Sequence, residues 1–399
     1  MARPRPVDRP EPTFAMSAFA SLARIAVSIP VWAESSAGWP LSFSSKRLPR
    51  RRAAQTLAWF FLAAIGLNLG AFVALDVADT RWRDPEYGKR IVSLRRRIAE
   101  NPDRPLVLVI GSSRVSMGLR PSAWEETRPD RPGEPDPLIF NMSLVGSGPL
   151  MELMCLRRLY ADGVRPDAVV LEYWPPFLRE DGPYFEPDRI DHARLAEGDR
   201  PLVDEYFRDP GDVEWKMLCD RINPLYRTRH RLLAQVCPRW QPWDKRLEMA
   251  WGMLDGWGWL SGLEDKYPPD PKMRSIRLQH CEKTYRPQFL GYTIHPLADH
   301  SLRESVALSR SHGARVAFVY MPEASEFRGW MPPAVERLAA DHLAALRREL
   351  DLPLIDARSW MPDGYLVDGF HLSRIGAAEF TKKFGPAVAA TFPHLGRER

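Results

Sequence analysis

Two short stretches far apart in the chain hold residue types that could do acyl chemistry together. In IGSSRVSMG, Ile110 to Gly118, an apolar run ends on a glycine, and Ser112 and Ser113 follow on a turn ahead of a helix. In DGFHLSRIGAAEF, Asp368 to Phe380, Asp368 stands three residues before His371, and helical spacing begins at Leu372. A serine hydroxyl becomes a useful nucleophile when a base takes its proton and a third group holds that base in one tautomer. A turn between Asp368 and His371 can bring the carboxylate to Nδ1 and leave Nε2 facing a serine. A serine at a helix start also sits among free N–H groups at the positive end of the helix dipole. The same residues fit a plainer role, because Ser is a favoured N-cap and Asp368 can cap the closing helix beside a solvated His371. Asp363 competes as the orienting carboxylate, but its spacing to His371 suits a local turn less well. The G-x-S-x-G nucleophile elbow is absent, which argues against the α/β-hydrolase arrangement.

Positioning those residues requires a scaffold, and the chain alternates in the manner of one. PLVLVIGSS (from Pro105), PLIFNMSLVGSG (from Pro137), DAVVLEYWP (from Asp167), RVAFVYMP (from Arg315) and LPLIDAR (from Leu352) read as short strands buried on both faces. Helical spacing lies between most of them, predicting parallel βαβ units with right-handed crossovers. The expected fold is α/β, a three-layer α/β/α sandwich of about five parallel strands over residues 105–392. Its ligands should bind at the carboxyl ends of the strands, near Ser112 to Arg114, Asn141 to Gly148 and Glu172 to Pro176. Residues 177–300 lack clear periodicity and read as one long, loop-rich, aromatic insertion.

Composition bounds the rest. The 399 residues are 45% hydrophobic and carry a net charge of +5, with basic residues crowded before position 53, above all KRLPRRR from Lys46 to Arg52. No nucleic-acid motif accompanies that cluster, so no nucleic-acid partner is expected. Directly after it, Ala53 to Leu75 is a run of 23 uncharged residues, and about 20 suffice to cross a bilayer. Residues 1–52 therefore read as a disordered cytoplasmic tail, 53–77 as an uncleaved signal anchor, and 78–104 as a juxtamembrane segment with a charged helix from Arg83 to Glu100. The positive flank predicts a single pass through the inner membrane with the N-terminus inside and the large domain outside. FAMSAFASLARIAVSIPVWA, interrupted by Arg24, reads as an interfacial or disordered part of the tail. Four cysteines, Cys155, Cys219, Cys237 and Cys281, would then meet an oxidising compartment. Cys219 and Cys237 are near enough in sequence to close a small loop, although four cysteines allow three pairings. No Cys/His cluster appears, so neither a metal nor a cofactor is expected.

The order of the blocks resembles the SGNH (GDSL-type) hydrolase superfamily over residues 105–176 and 301–392. Gly111, Ser112 and Ser113 match the family's first block, Asn141 to Gly146 (NMSLVG) the second, and Asp368 with His371 the last. The resemblance implies Ser113 as nucleophile, His371 as base and Asp368 as its orienter. It also implies backbone N–H groups of Ser113 and Gly146 as oxyanion donors, with Asn141 beside the substrate. Two departures stand out: Ser112 replaces the usual Asp, and EYWPPF has no Asn from Glu172 to Phe177. A missing side-chain donor of that kind removes about 3 kcal/mol of transition-state stabilisation. Arg114 and Tyr173 are the nearby groups that could replace it. The resemblance implies a membrane-anchored serine esterase, O-acyltransferase or deacetylase acting on an acylated small molecule or exported polysaccharide. The alternatives are a catalytically inactive carbohydrate-binding or assembly factor on the same fold, and a plain tethered scaffold.

Overall fold

Each of the five apolar runs forms a strand in the computed structural model, which describes residues 50–78, 83–128, 136–179, 185–241, 250–261, 269–393 and 395. The strands are β1 (Leu106–Ile110), β2 (Leu138–Asn141), β3 (Ala168–Glu172), β4 (Arg315–Tyr320) and β5 (Leu354–Asp356). They pair only in parallel, in the order β2-β1-β3-β4-β5. Such a sheet needs an apolar coat on both faces, which is why its strands read as unbroken hydrophobic runs. Leu108 and Ile110 of β1 join one buried cluster and Val107 and Val109 the other.

The first cluster is closed by α2 (Pro85–Glu100), α5 (Pro149–Ala161), α10 (Pro296–Ser311) and α12 (Pro333–Leu350), through residues such as Ile91, Leu153, Leu302 and Leu346. The second is closed by α3 (Ser113–Gly118), α4 (Pro121–Thr127) and α13 (Arg374–Thr391), through Val115, Trp124, Phe380 and Phe384. The remaining α-helices of six or more residues are α1 (Arg50–Phe72), α6 (Arg200–Tyr206), α7 (Pro210–Ile222), α8 (Pro224–Val236), α9 (Pro271–Tyr285) and α11 (Ser325–Trp330).

The stretch 177–300 is not loop-rich where it is described: it carries α6 to α9 and the start of α10. Several of its prolines start helices. Pro210, Pro224 and Pro271 each occupy the first helical position, behind Asp209, Asn223 and Asp270, whose side chains accept a backbone N–H of the first turn. Proline costs nothing there, because the N–H it lacks would have no intrahelical acceptor. The closing helix starts at Arg374 with Ser373 as its N-cap, so His371 precedes the helix instead of opening it.

Among the described residues, one helical stretch, Arg51–Leu75, is long and apolar enough to cross a membrane. The tail before residue 50, with its Arg24-interrupted stretch, lies outside the described residues. All four cysteines are free thiols. A bond between Cys219 and Cys237 is precluded by their helices: both meet at Asn223, and the 13 residues of α8 carry Cys237 about 20 Å from that cap.

Candidate functional site

The carboxyl end of β1 and the segment after β5 meet at one place. Ser113 is the first residue of α3, and the cap of that helix is Ser112, whose Oγ accepts the N–H of Arg114 at 3.2 Å. Capping is thus done by one serine, and the hydroxyl of the other is not spent on it. A Cβ on Gly111 would lie 2.7 Å from Cβ of Glu172, so a glycine is required for β1 to end this close to β3. Across that gap Glu172 Oε2 accepts the N–H of Ser112 at 2.7 Å. The turn bearing Ser113 is therefore pinned by a side chain from the neighbouring strand.

Asp368 and His371 form the expected turn. Asp368 Oδ1 accepts the N–H groups of Phe370 (3.2 Å) and His371 (2.9 Å), and Oδ2 lies 2.7 Å from His371 Nδ1. The N–H of Val367 closes the turn on the carbonyl of His371 at 2.9 Å. His371 Nε2 then stands 2.8 Å from Ser113 Oγ. Burial pushes the Asp368 carboxyl up, but the imidazole and the N–H groups of His371 and Phe370 outweigh it and hold the group below the usual carboxylate range. An ionised Asp368 keeps the proton of the neutral imidazole on Nδ1 and leaves Nε2 as the acceptor for the serine. Ser113 and His371 are both part-exposed, so the pair is open to a ligand. The ring of Phe370 lies 4.4 Å from that of His371 and 5.3 Å from Trp174, an aromatic backing that limits imidazole rotation.

Gly146 forms a left-handed turn with φ 78°, and its N–H has no acceptor among the described residues. The residue before it is anchored from afar: Glu86 in α2 accepts the N–H of Val145 at 2.9 Å. Ser113, as the first helical residue, also has an N–H with no intrahelical partner.

Three residues expected to contact a ligand do other work. Arg114 is buried, donates to the carbonyl of Met321 at 2.8 Å, and lies 3.3 Å from Glu323 and 3.5 Å from Glu172. It braces the ends of β3 and β4, with its guanidinium 4.7 Å from the Trp174 ring. Burial pushes Glu323 up, while Arg114 pulls against it. Asn141 is also buried, and its amide donates to the carbonyls of Val115 (2.9 Å) and Leu119 (2.8 Å), so it ties β2 to α3. Tyr173 points into the core, where its hydroxyl donates to Ala339 O at 2.8 Å. Each side chain lies on a strand end or helix start where burial, not exposure, was the stronger demand. Asp363 serves Ser325, whose N–H it accepts at 2.8 Å, and takes no part in holding His371.

Sequence reasoning placed Glu172 on the ligand rim but missed its role in pinning the Ser113 turn, and it missed Glu86 altogether. A glutamate closing an otherwise apolar buried strand, AVVLE, was the available signal for the first. Glu86 offered none, since it sits in an ordinary charged helix. Among the described residues, Glu205, His300 and Glu304 bring three potential metal donors within 4.8 Å of one another. They lie on the surface, and Glu304 is already taken by Arg157 at 2.6 Å and by the Tyr206 hydroxyl at 2.7 Å. No protein-family model matches the chain, and no curated protein matches it.

Proposed function

We propose that this chain is a membrane-anchored serine ester hydrolase or acyl-transfer enzyme of the SGNH (GDSL) kind, with Ser113 as nucleophile, His371 as base and Asp368 as its orienter. The single observation that carries the reading is the continuous relay Asp368–His371–Ser113, with contacts of 2.7 and 2.8 Å. Ser113 Oγ attacks an ester carbonyl as His371 Nε2 takes its proton, and the same imidazole returns that proton to the leaving alcohol. Water or a sugar hydroxyl then attacks the acyl-serine by the reverse relay. The N–H groups of Ser113 and Gly146 supply two donors for the developing oxyanion. With no third donor from an Asn side chain, a rate about a hundredfold or more below that of a fully equipped site is expected.

The five-stranded sheet with helices on its two faces is, in this reading, the three-layer α/β/α body of that superfamily. Helix α1 is the anchor, and the basic cluster before it keeps the N-terminus cytoplasmic and the site outside. Ester-linked acyl groups on exported polysaccharide are the substrate class that fits such an outward-facing site.

A fluorophosphonate probe tests the proposal on the full chain in nanodiscs. Ser113 should be labelled and small acetyl esters hydrolysed, with both signals lost in Ser113→Ala. A folded chain that neither labels nor hydrolyses these esters, yet binds glycan, would make it a binding body instead.

A further inference from the structure

The α7–α8 hairpin presents an apolar edge that the domain core does not cover. Trp215, Leu218 and Ile222 recur at helical spacing on one face of α7 and are exposed, whereas Met217 and Asp220 on the opposite face are buried. On α8 the exposed residues include Tyr226 and Val236, and Trp240 lies just beyond it; Val236 and Trp240 are 78% and 77% exposed. Exposure on that scale, concentrated in one hairpin, marks a surface that something apolar covers.

The neighbouring helix tells what covers it. α8, and to a smaller extent α7, packs against α1, the helix long and apolar enough to cross a membrane. In the C-terminal half of α1 and the turn that continues it, the residues that lose exposure are Ala64, Asn68, Ala71, Phe72 and Leu75, a single stripe. From Asn68 to Leu75 is about 10 Å along the helix axis. A hairpin against that stripe lies at the level of the headgroups and the first carbons of the acyl chains, where interfacial helices bury their apolar faces. Its composition suits that depth. Trp and Tyr favour the interface, and from Pro210 to Trp240 the sequence has more basic than acidic residues, a surplus that attracts anionic headgroups.

We propose that the α7–α8 hairpin is a second membrane contact, seated in the outer headgroup layer of a bilayer carrying anionic phospholipid, with Trp215, Leu218, Ile222 and Val236 toward the acyl chains. Anchor and hairpin together then fix the tilt of the domain, which a single span cannot do. The proposal rests on α1 crossing the bilayer and is independent of the catalytic reading.

Spin-label accessibility tests it on the full chain in nanodiscs of phosphatidylcholine and phosphatidylglycerol. Cys219→Ser and Cys237→Ser remove the two part-exposed thiols, leaving buried Cys155 and Cys281. A nitroxide is then placed singly by Leu218→Cys, Val236→Cys, Leu338→Cys on α12 and Leu62→Cys in α1. The expected result is an oxygen-over-nickel-complex accessibility ratio at positions 218 and 236 several-fold above that at 338 and below that at 62. Ratios at 218 and 236 equal to that at 338 would overturn the proposal. So would label–label broadening at 218 that fades on dilution with unlabelled chain, since a second copy would then cover the hairpin. A low ratio at 62 overturns it too, through failure of the span, and is distinguishable from failure of the hairpin alone.

Discussion

Glu172 at the end of β3 accepts the N–H of Ser112 at 2.7 Å and lies 3.5 Å from Arg114, so one buried carboxylate holds both neighbours of Ser113. Glu172→Ala removes the acceptor from a buried N–H and an anion from a buried guanidinium. Loss of one partner of such a pair costs about 3–5 kcal/mol. Urea denaturation should show a loss near the lower figure, because Glu323 remains beside Arg114. Glu172→Gln keeps an acceptor for Ser112 and should lose markedly less. Equal stability of the two variants would refute this role.

Asp368→Asn tests the proposed orienter separately from the proposed nucleophile. Asn can still accept the N–H groups of the turn, but it favours the wrong imidazole tautomer. A fall in kcat of roughly a thousand- to ten-thousand-fold is expected, with the melting temperature nearly unchanged. Ester hydrolysis and calorimetry on the same preparation decide it.

Asp84 caps α2 and is gripped by Arg194 (3.0 Å) and Arg158 (3.1 Å). Burial pushes its carboxyl up, but Arg194 and Arg158 outweigh it and lower the pKa from 3.8 to about 2. A depressed acid contributes stability above its unfolded pKa and loses it as pH falls through the folded one. The window therefore runs from about pH 4 to about pH 2, and the contribution is about 2 kcal/mol. Asp84→Asn should be less stable than the parent at pH 6 and converge with it near pH 2.

Glu152 shows the opposite sign. It is buried with Oε2 unpartnered, and burial, then the charges of Glu172 and Glu186, push its pKa well up. Such an acid favours folding when protonated, so its cost is absent at pH 4 and grows as pH rises above its unfolded value. Glu152→Gln should gain about 1–2 kcal/mol at pH 7.5 and nothing at pH 4. Thermal melts at both values suffice. A gain of equal size at both would mean that packing, not charge, is responsible.

The strands and the Asp368–His371 turn were legible because both are local. An apolar run of five residues and an Asp-x-x-His spacing carry their own geometry. The helices of 177–300 are short and weakly periodic, so their signal lies at their starts: Asp209-Pro210, Asn223-Pro224 and Asp270-Pro271 each pair a capping residue with a proline at the first helical position. The fates of Arg114, Asn141 and Tyr173 were not legible, because each turns on which partner burial supplies across the fold. Met321, Leu119 and Ala339 lie 207, 22 and 166 residues away from them, respectively.

The order of the site along the chain, with Ser113 just after β1 and the Asp368–His371 turn coming after β5, has a temporal consequence. Synthesis delivers the Ser113 hydroxyl 258 residues before the His371 imidazole, so a chain that has not yet emerged that far has no relay to run. On the proposed reading, a stop between the apolar helix and position 371 leaves a product that lacks the imidazole and cannot form the relay.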